Sequence, residues 1–243
     1  MSIDERFVGK SIPTSEFTDD DGSADPRVVA SLVDFHEGLG TRSQAAKAIA
    51  GGRLFVPVKA VLDSVDMTDD GHQVEKDSHM ATVSVQIPDG RRGLLAFTSV
   101  SAMAQWDQQA RPVAARAQMV AAAALDEGAD ALIVDIGSPH TFVMDKPLLT
   151  AIAAGDPVGS PITDPEIQGA VMDVVAPLAR RYNCQFEMSE PRGDADLRLT
   201  LLAPADLDSQ TVLPEVAQAL SASEILRSRL PRGLELAVRT AEA

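Results

Sequence analysis

The spacing of hydrophobic residues changes several times along the chain, and each change predicts a new element. After Asp25-Pro26, which has the form of an N-cap and a first-turn proline, apolar residues recur at helical spacing. This pattern predicts a helix over 26–37. A second, shorter helix is predicted from Ser43, its expected N-cap, to Ala50.

Alternating apolar positions follow and predict strands. The predicted strands cover 54–62, 81–87 and 93–98. Pro88-Asp89-Gly90 is a turn signal, so we expect the last two strands to form a hairpin. Pro57 has no N–H to give to a ladder, and we therefore expect an edge or a bulge in the first strand.

The helical period returns after residue 98. Ser99 or Ser101 is placed to cap a short helix that ends near Trp106, and Pro112 is expected to open a longer helix to Glu127. The pattern then predicts a central strand, a return strand and a helix over 131–136, 141–144 and 145–154.

A run rich in Pro and Gly at 155–164 separates this region from the rest of the chain. The elements predicted beyond it are a helix, a strand hairpin, one or two helices and a last strand, over 165–182, 184–188, 197–201, 211–229 and 234–238. The order α-β-β-α-β predicts a small sheet with helices on one face.

These elements predict the α+β class, with a mixed β-sheet N-terminal domain and packed helices followed by a small α-β-β-α-β C-terminal unit. The predicted division is a flexible or loosely docked acidic arm at 1–25, an N-terminal domain at 26–155, a linker at 156–164 and a C-terminal domain at 165–243.

The composition narrows the function classes. The 243 residues carry a formal charge of −15, spread over the whole chain, which argues against nucleic acid and anionic membranes as partners. The single Cys excludes a disulfide framework. The N-terminus lacks the cationic start and apolar core of a secretory signal, so we expect a cytoplasmic protein.

Motifs for metal, cofactor or catalysis are weak. Residues 66–77 place four oxygen-bearing side chains and Gly71 at calcium-loop spacing, but Thr68 replaces an acid and Asp77 replaces the bidentate Glu. A solvated hairpin turn is the favoured interpretation of this acidic turn. The sequence also lacks phosphate-binding and nucleophile-elbow motifs. It therefore predicts no catalytic residue, no metal and no cofactor.

Two features remain as candidate contacts with a ligand or a partner. Thr98 and Ser99 offer hydroxyls where a strand meets a helix, which is where ligands bind in α/β sheets, but simple helix capping is the favoured alternative. Trp106, the only Trp, fits a partner-binding hot spot, with packing on the sheet as the favoured alternative.

Several segments resemble one known family. These segments are RLFVPV at 53–58, KDSHMA at 76–81, DGRRGLLAFTS at 89–99, AMAQWD at 102–107 and EGADALIVDIGSP at 127–139. They resemble the SseB N-terminal domain family, named for enhanced serine sensitivity, over about residues 30–155. The resemblance implies a cytoplasmic two-part α+β protein, and it carries over no catalytic residue.

Two functions are compatible with the sequence. The favoured one is a non-enzymatic interaction or regulatory module with a protein partner, in which the acidic arm engages a basic surface. A homodimer is also compatible with the sequence. The alternative is a binder of a small amino-acid-related metabolite, or an enzyme acting on one, with its pocket at the Thr98-Ser99 junction.

Overall fold

The structure is a computed structural model, and it describes residue 17 and residues 20–61, 79–86, 90–205 and 207–240. These residues form eight helices and ten strands in three sheets, which confirms the predicted α+β class. They divide into two compact units. Among the described residues, one unit consists of those within Met1–Val29 and Ala48–Asp156, and the other of those within Ala30–Lys47 and Pro157–Ala243.

The boundary between the units falls inside the first two helices, α1 (Pro26–His36) and α2 (Arg42–Ala50). Both helices are where the apolar spacing predicts them. Thr41, not Ser43, caps α2, because the Thr41 hydroxyl oxygen accepts from Gln44 N at 3.3 Å. Residues 30–47 group with the C-terminal unit. The predicted division into domains stays a prediction.

The first sheet of the N-terminal unit has the order β2-β1-β5, with all pairs antiparallel. Its strands are β1 (Arg53–Val61), β2 (His79–Thr82) and β5 (Arg111–Arg116). The prediction of a helix from Pro112 to Glu127 is wrong in its first part, because residues 111–116 pair with β1 and only α4 (Ala117–Asp126) is helical.

The sheet accommodates two prolines without losing a hydrogen bond between β1 and β5. Pro57 and Pro112 lie directly opposite each other, and because neither has an N–H they occupy a pair that exchanges no hydrogen bond. The backbone nitrogen of Pro112 therefore points away from β1, towards the open edge that β5 forms in this sheet. The expectation of an edge position for Pro57 is wrong, because β1 is the middle strand. Its neighbours show why proline is tolerated: Val58 pairs with Thr82 of β2, whereas Phe55 bridges Phe97. Pro57 lies where β1 changes partner.

The second sheet has the order β3-β4-β6-β7. Its strands are β3 (Ser84–Gln86), β4 (Arg92–Ala96), β6 (Ala131–Val134) and β7 (Phe142–Asp145). β3 and β4 form the antiparallel pair of the predicted hairpin, whereas β4 and β6 are parallel. The crossover between β4 and β6 contains α3 (Val100–Trp106), β5 and α4.

The two faces of this sheet bury different side chains, as strand alternation requires. On one face, Leu95 and Ile133 belong to a cluster with Phe55, Phe97, Met103 and Ala110. On the other, helices α4 and α5 (Lys146–Ala154) pack against β6 and β7, and Leu132 and Leu149 are buried. Gly93 of β4 leaves room for the side chain of Ile133 on β6, because a Cβ at residue 93 would lie 2.5 Å from Ile133 Cδ1.

The C-terminal unit has one three-stranded sheet of order β10-β9-β8. Its elements are α6 (Pro165–Tyr182), β8 (Gln185–Ser189), β9 (Leu197–Ala203), α7 (Ser209–Ala222), α8 (Glu224–Arg229) and β10 (Leu234–Thr240). β8 and β9 form the predicted hairpin, and β10 runs parallel to β9. Alternate residues of β9 and the inner stripes of the three helices form a single apolar core. Helix α6 continues through Pro177.

Candidate functional site

The candidate site lies where two neighbouring parallel strands end. β4 ends at Ala96 beside Val134, the last residue of β6. Thr98 follows β4 and Asp135 follows β6, so the topology brings both side chains to one edge of the sheet. Carboxyl ends of adjacent parallel strands are the usual place for ligand groups in such sheets.

The carboxylate of Asp135 joins the two strand ends. Thr98 N donates to Asp135 Oδ1 at 2.8 Å, and the Thr98 hydroxyl donates to Asp135 Oδ2 at 2.7 Å. The Asp135 amide donates to Ala96 O at 3.0 Å. Both side chains are buried. Asp135 has a φ of +52°, a left-handed conformation that is uncommon outside Gly, Asn and Asp.

Burial raises the pKa of Asp135 above its usual range, because a low-dielectric environment disfavours the charged form. The two hydrogen bonds from Thr98 and the nearby charge of His140 act in the opposite direction, and the net shift is upward. The site therefore holds a carboxyl group with an increased tendency to stay protonated.

The turn after Asp135 is closed by hydrogen bonds of its own. The carbonyl of Asp135 accepts from Ser138 N at 3.1 Å and from the Thr141 hydroxyl at 2.9 Å. His140 N donates to the Ser138 hydroxyl at 3.1 Å. This network fixes the loop that carries His140 beside the buried carboxyl.

Ser99 is the N-cap of α3. Its hydroxyl oxygen accepts from Ala102 N at 3.0 Å and lies 3.0 Å from the Ser101 hydroxyl. Ser99 is as deeply buried as Thr98. The capping interpretation of the Thr98-Ser99 junction thus accounts for the Ser99 hydroxyl, and Asp135 accounts for that of Thr98.

Trp106 is the last residue of α3 and is half-buried. Its ring lies 5.5 Å from that of Phe97, centroid to centroid, with an interplanar angle of 33°, and it packs against the cluster that contains Met103. The packing interpretation accounts for this position. A role for Trp106 in binding a partner stays a prediction.

Two further residues of the site, Asp135 and Arg53, were not predicted from the sequence. Arg53, the first residue of β1, donates to Thr98 O at 2.8 Å and forms an ion pair with Asp20. A polar residue directly after the buried strand ALIV was the available signal for Asp135. No local pattern in the sequence indicates the role of Arg53, because its partners lie 33 and 45 positions away along the chain.

The described residues contain no group of three or more His, Cys, Asp or Glu side chains able to hold a metal ion. The acidic turn at 66–77 lies outside them. In the same part of the chain, no helix is both long enough and apolar enough to cross a membrane.

Comparison with known proteins gives one match. No curated protein and no solved structure matches the chain. The family model described as SseB protein N-terminal domain matches residues 28–151, just over half of the chain. The match covers β1, the Thr98-Asp135 site and Trp106, and agrees with the resemblance drawn from the motifs. The chain therefore belongs to the SseB family.

Proposed function

We propose that this chain is a non-enzymatic interaction or regulatory module of the cytoplasm, and that its partner is a protein. The observation that carries the proposal is the state of the candidate site. Thr98 and Asp135 bond each other, and the Ser99 hydroxyl caps α3. These groups stabilise the fold, whereas a ligand site needs polar groups directed at the ligand.

Charge supports a basic partner surface. The formal charge of −15 favours association with a positively charged protein and makes that association sensitive to salt. Exposed apolar side chains supply contact area on the C-terminal unit: Met172 of α6 is 53% exposed and Ile225 of α8 is 45% exposed. These two helices pack on each other. A flexible methionine suits contact surfaces because it adapts to its neighbours.

The test is capture of a partner by the tagged full chain from native lysate, with crosslinking and mass spectrometry. We expect a stoichiometric protein partner whose recovery falls as salt rises and falls further in the double variant Met172→Ser, Ile225→Ser. Met119→Ser, which removes an exposed methionine of α4 in the other unit, is the matched control. A chain that stays free of partners at low salt contradicts the proposal.

A second candidate rests on the position of Asp135. A buried carboxyl with a raised pKa at the carboxyl ends of parallel strands is typical of binding sites for small molecules. This alternative makes the chain an amino-acid-related metabolite binder, or an enzyme, with its pocket at Thr98-Ser99. It requires a thermal shift with a panel of amino acids that is lost in Thr98→Ala. The shift must persist in Thr150→Ala, whose hydroxyl bonds only its own helix. No shift across the panel rejects it.

A further inference from the structure

Residues 20–25, which we call the strap, lie against Arg53 in the N-terminal unit. The guanidinium of Arg53 donates through Nε and Nη2 to the two carboxylate oxygens of Asp20, the Nη2 bond being 2.7 Å long. Nη2 also donates to Ser23 O, and Nη1 donates to Thr98 O at 2.8 Å. A two-pronged pairing of this kind is the strongest and most directional way for arginine to hold a carboxylate.

The backbone of the strap is held as well. Val100 N donates to Gly22 O at 2.9 Å, and Asp20 Oδ1 accepts from Gly22 N at 2.8 Å. Gly22 has a φ of +78°, and a Cβ at this position would lie 2.8 Å from Val100 Cγ2. The contacts therefore select an aspartate followed two residues later by glycine.

The strap should open locally more easily than the surface on which it lies. The strap, DDGSAD, contains no large apolar side chain, so polar contacts alone hold it. Arg53 belongs to the middle strand of its sheet, its side chain is 14% exposed, and its guanidinium lies 4.2 Å from the centre of the Phe55 ring. Segments without buried apolar anchors open locally at low cost, whereas central strands do not.

Release of the strap would leave Arg53 with the carbonyl of Thr98 but without its carboxylate. A partly buried cation that loses its counter-ion is unfavourable, so the vacated surface would accept another carboxylate. We infer that Arg53, Thr98 O and Val100 N form a binding site for an acidic peptide of the form Asp-x-Gly from another protein, and that the strap occupies this site in cis. Because a tethered occupant competes at a high effective concentration, the site is closed until the strap is displaced.

The partner in the proposed interaction role, on which this inference rests for its biological meaning, would meet the acidic chain with a basic surface and place one local Asp-x-Gly segment on Arg53. The physical test of the inference does not need the natural partner. The probe is a fluorescein-labelled, end-capped peptide with the sequence of residues 20–25, and its binding to the full chain is followed by anisotropy. Asp20→Ala frees the site, Arg53→Gln removes it, and Asp173→Ala, which removes an exposed carboxylate of α6 in the other unit, is the matched control.

We expect Asp20→Ala to bind the peptide about tenfold more tightly than the wild type, because the competing tether is lost. Asp173→Ala should match the wild type, and Arg53→Gln should bind no peptide. Hydrogen exchange at Val100 N should accelerate in Asp20→Ala and Arg53→Gln alike, which shows strap release independently of binding. Equal affinity of the wild type and Asp20→Ala, or strong binding by Arg53→Gln, would overturn the inference.

The two proposals fail in different ways. If peptide binding fails while the captured protein partner is retained by Arg53→Gln, the acidic-peptide site is wrong and the interaction role stands. If the peptide binds as expected while no protein partner is captured, the site stands and the interaction role loses its support.

Discussion

The buried residues of the two units differ in chemistry. In the C-terminal unit, β9 buries Leu197, Leu199, Leu201 and Ala203 in strict alternation, and the described core around them is apolar apart from the thiol of Cys184. The buried polar residues of the described chain, Thr98, Ser99 and Asp135, all belong to the N-terminal unit. A polar network in a core is costly unless all its members are bonded. The difference shows that hydrogen bonds between buried side chains, as well as apolar packing, hold the N-terminal unit together.

The largest expected effect concerns the apolar part of the N-terminal unit. Phe97→Ala should lower the free energy of unfolding by about 3–5 kcal/mol, because it removes a fully buried ring that packs on Trp106 and within the surrounding apolar cluster. Urea unfolding followed by the fluorescence of Trp106 measures the loss. Leu199→Ala in the other unit, with an expected loss of about 2–5 kcal/mol, should leave the native emission of Trp106 unchanged. A loss below about 1 kcal/mol for Phe97→Ala would contradict the prediction.

Removal of the buried carboxyl tests the polar network directly. Asp135→Ala should cost about 1–3 kcal/mol, because it leaves the amide and hydroxyl of Thr98 buried without their acceptor. Asp135→Asn should cost less, since asparagine can accept from the Thr98 amide and tolerates a positive φ. Chemical denaturation of both variants provides the measurement. Equal losses for Ala and Asn would show that hydrogen bonding to Thr98 is not what stabilises this edge.

A smaller effect is expected at the cap of α3. Ser99→Ala should cost about 0.5–2 kcal/mol, because the Ser99 hydroxyl oxygen satisfies Ala102 N. Ser228→Ala is the matched control in the C-terminal unit, where an exposed hydroxyl donates to Ile225 O, and it should be close to neutral. Thermal unfolding of the two variants decides the point. A neutral Ser99→Ala would remove the capping interpretation and favour the alternative of a ligand site.

The pH dependence gives the most subtle test. Because the folded pKa of Asp135 is raised, its contribution to stability is fully present below the ordinary aspartate pKa of 3.8 and is lost as pH rises through the folded pKa. Asp20 acts in the opposite sense, because the hydrogen bonds from Arg53 lower its pKa and its contribution is lost on acidification. The stability of Asp135→Asn relative to the wild type should therefore increase with pH. A difference that is constant or decreases with pH would contradict this sign.

The elements with regular periodicity were the predictable part of the fold. The C-terminal helices and strands follow from their spacing, and α5 and α6 lie within the predicted ranges, with Asp145 and Asp164 as their N-caps. The sequence failed at residues 111–116, where an apolar run after Pro112 satisfied the rules for a helix start. Residues 111–116 form a strand because they pair with β1. The hydrogen bonds of this pairing outweigh the local preference for a helix.

Two of the four residues of the candidate site could be predicted from the sequence. Thr98 and Ser99 follow from their place between a strand and a helix, and the structure finds both buried there. Asp135 and Arg53 could not be linked to them, because hydrogen bonds between residues 37 and 45 positions apart have no local signature.

The sequence by itself determined the α+β class, most helix boundaries and membership of the SseB family, because these depend on local periodicity, capping and short motifs. Only the tertiary structure decided that β4 and β6 are parallel neighbours, that Pro57 faces Pro112, and that residues 20–25 are held by Arg53. The physical reason is that strand pairing and buried charge depend on residues distant in the chain, whose proximity is fixed only when the whole unit packs.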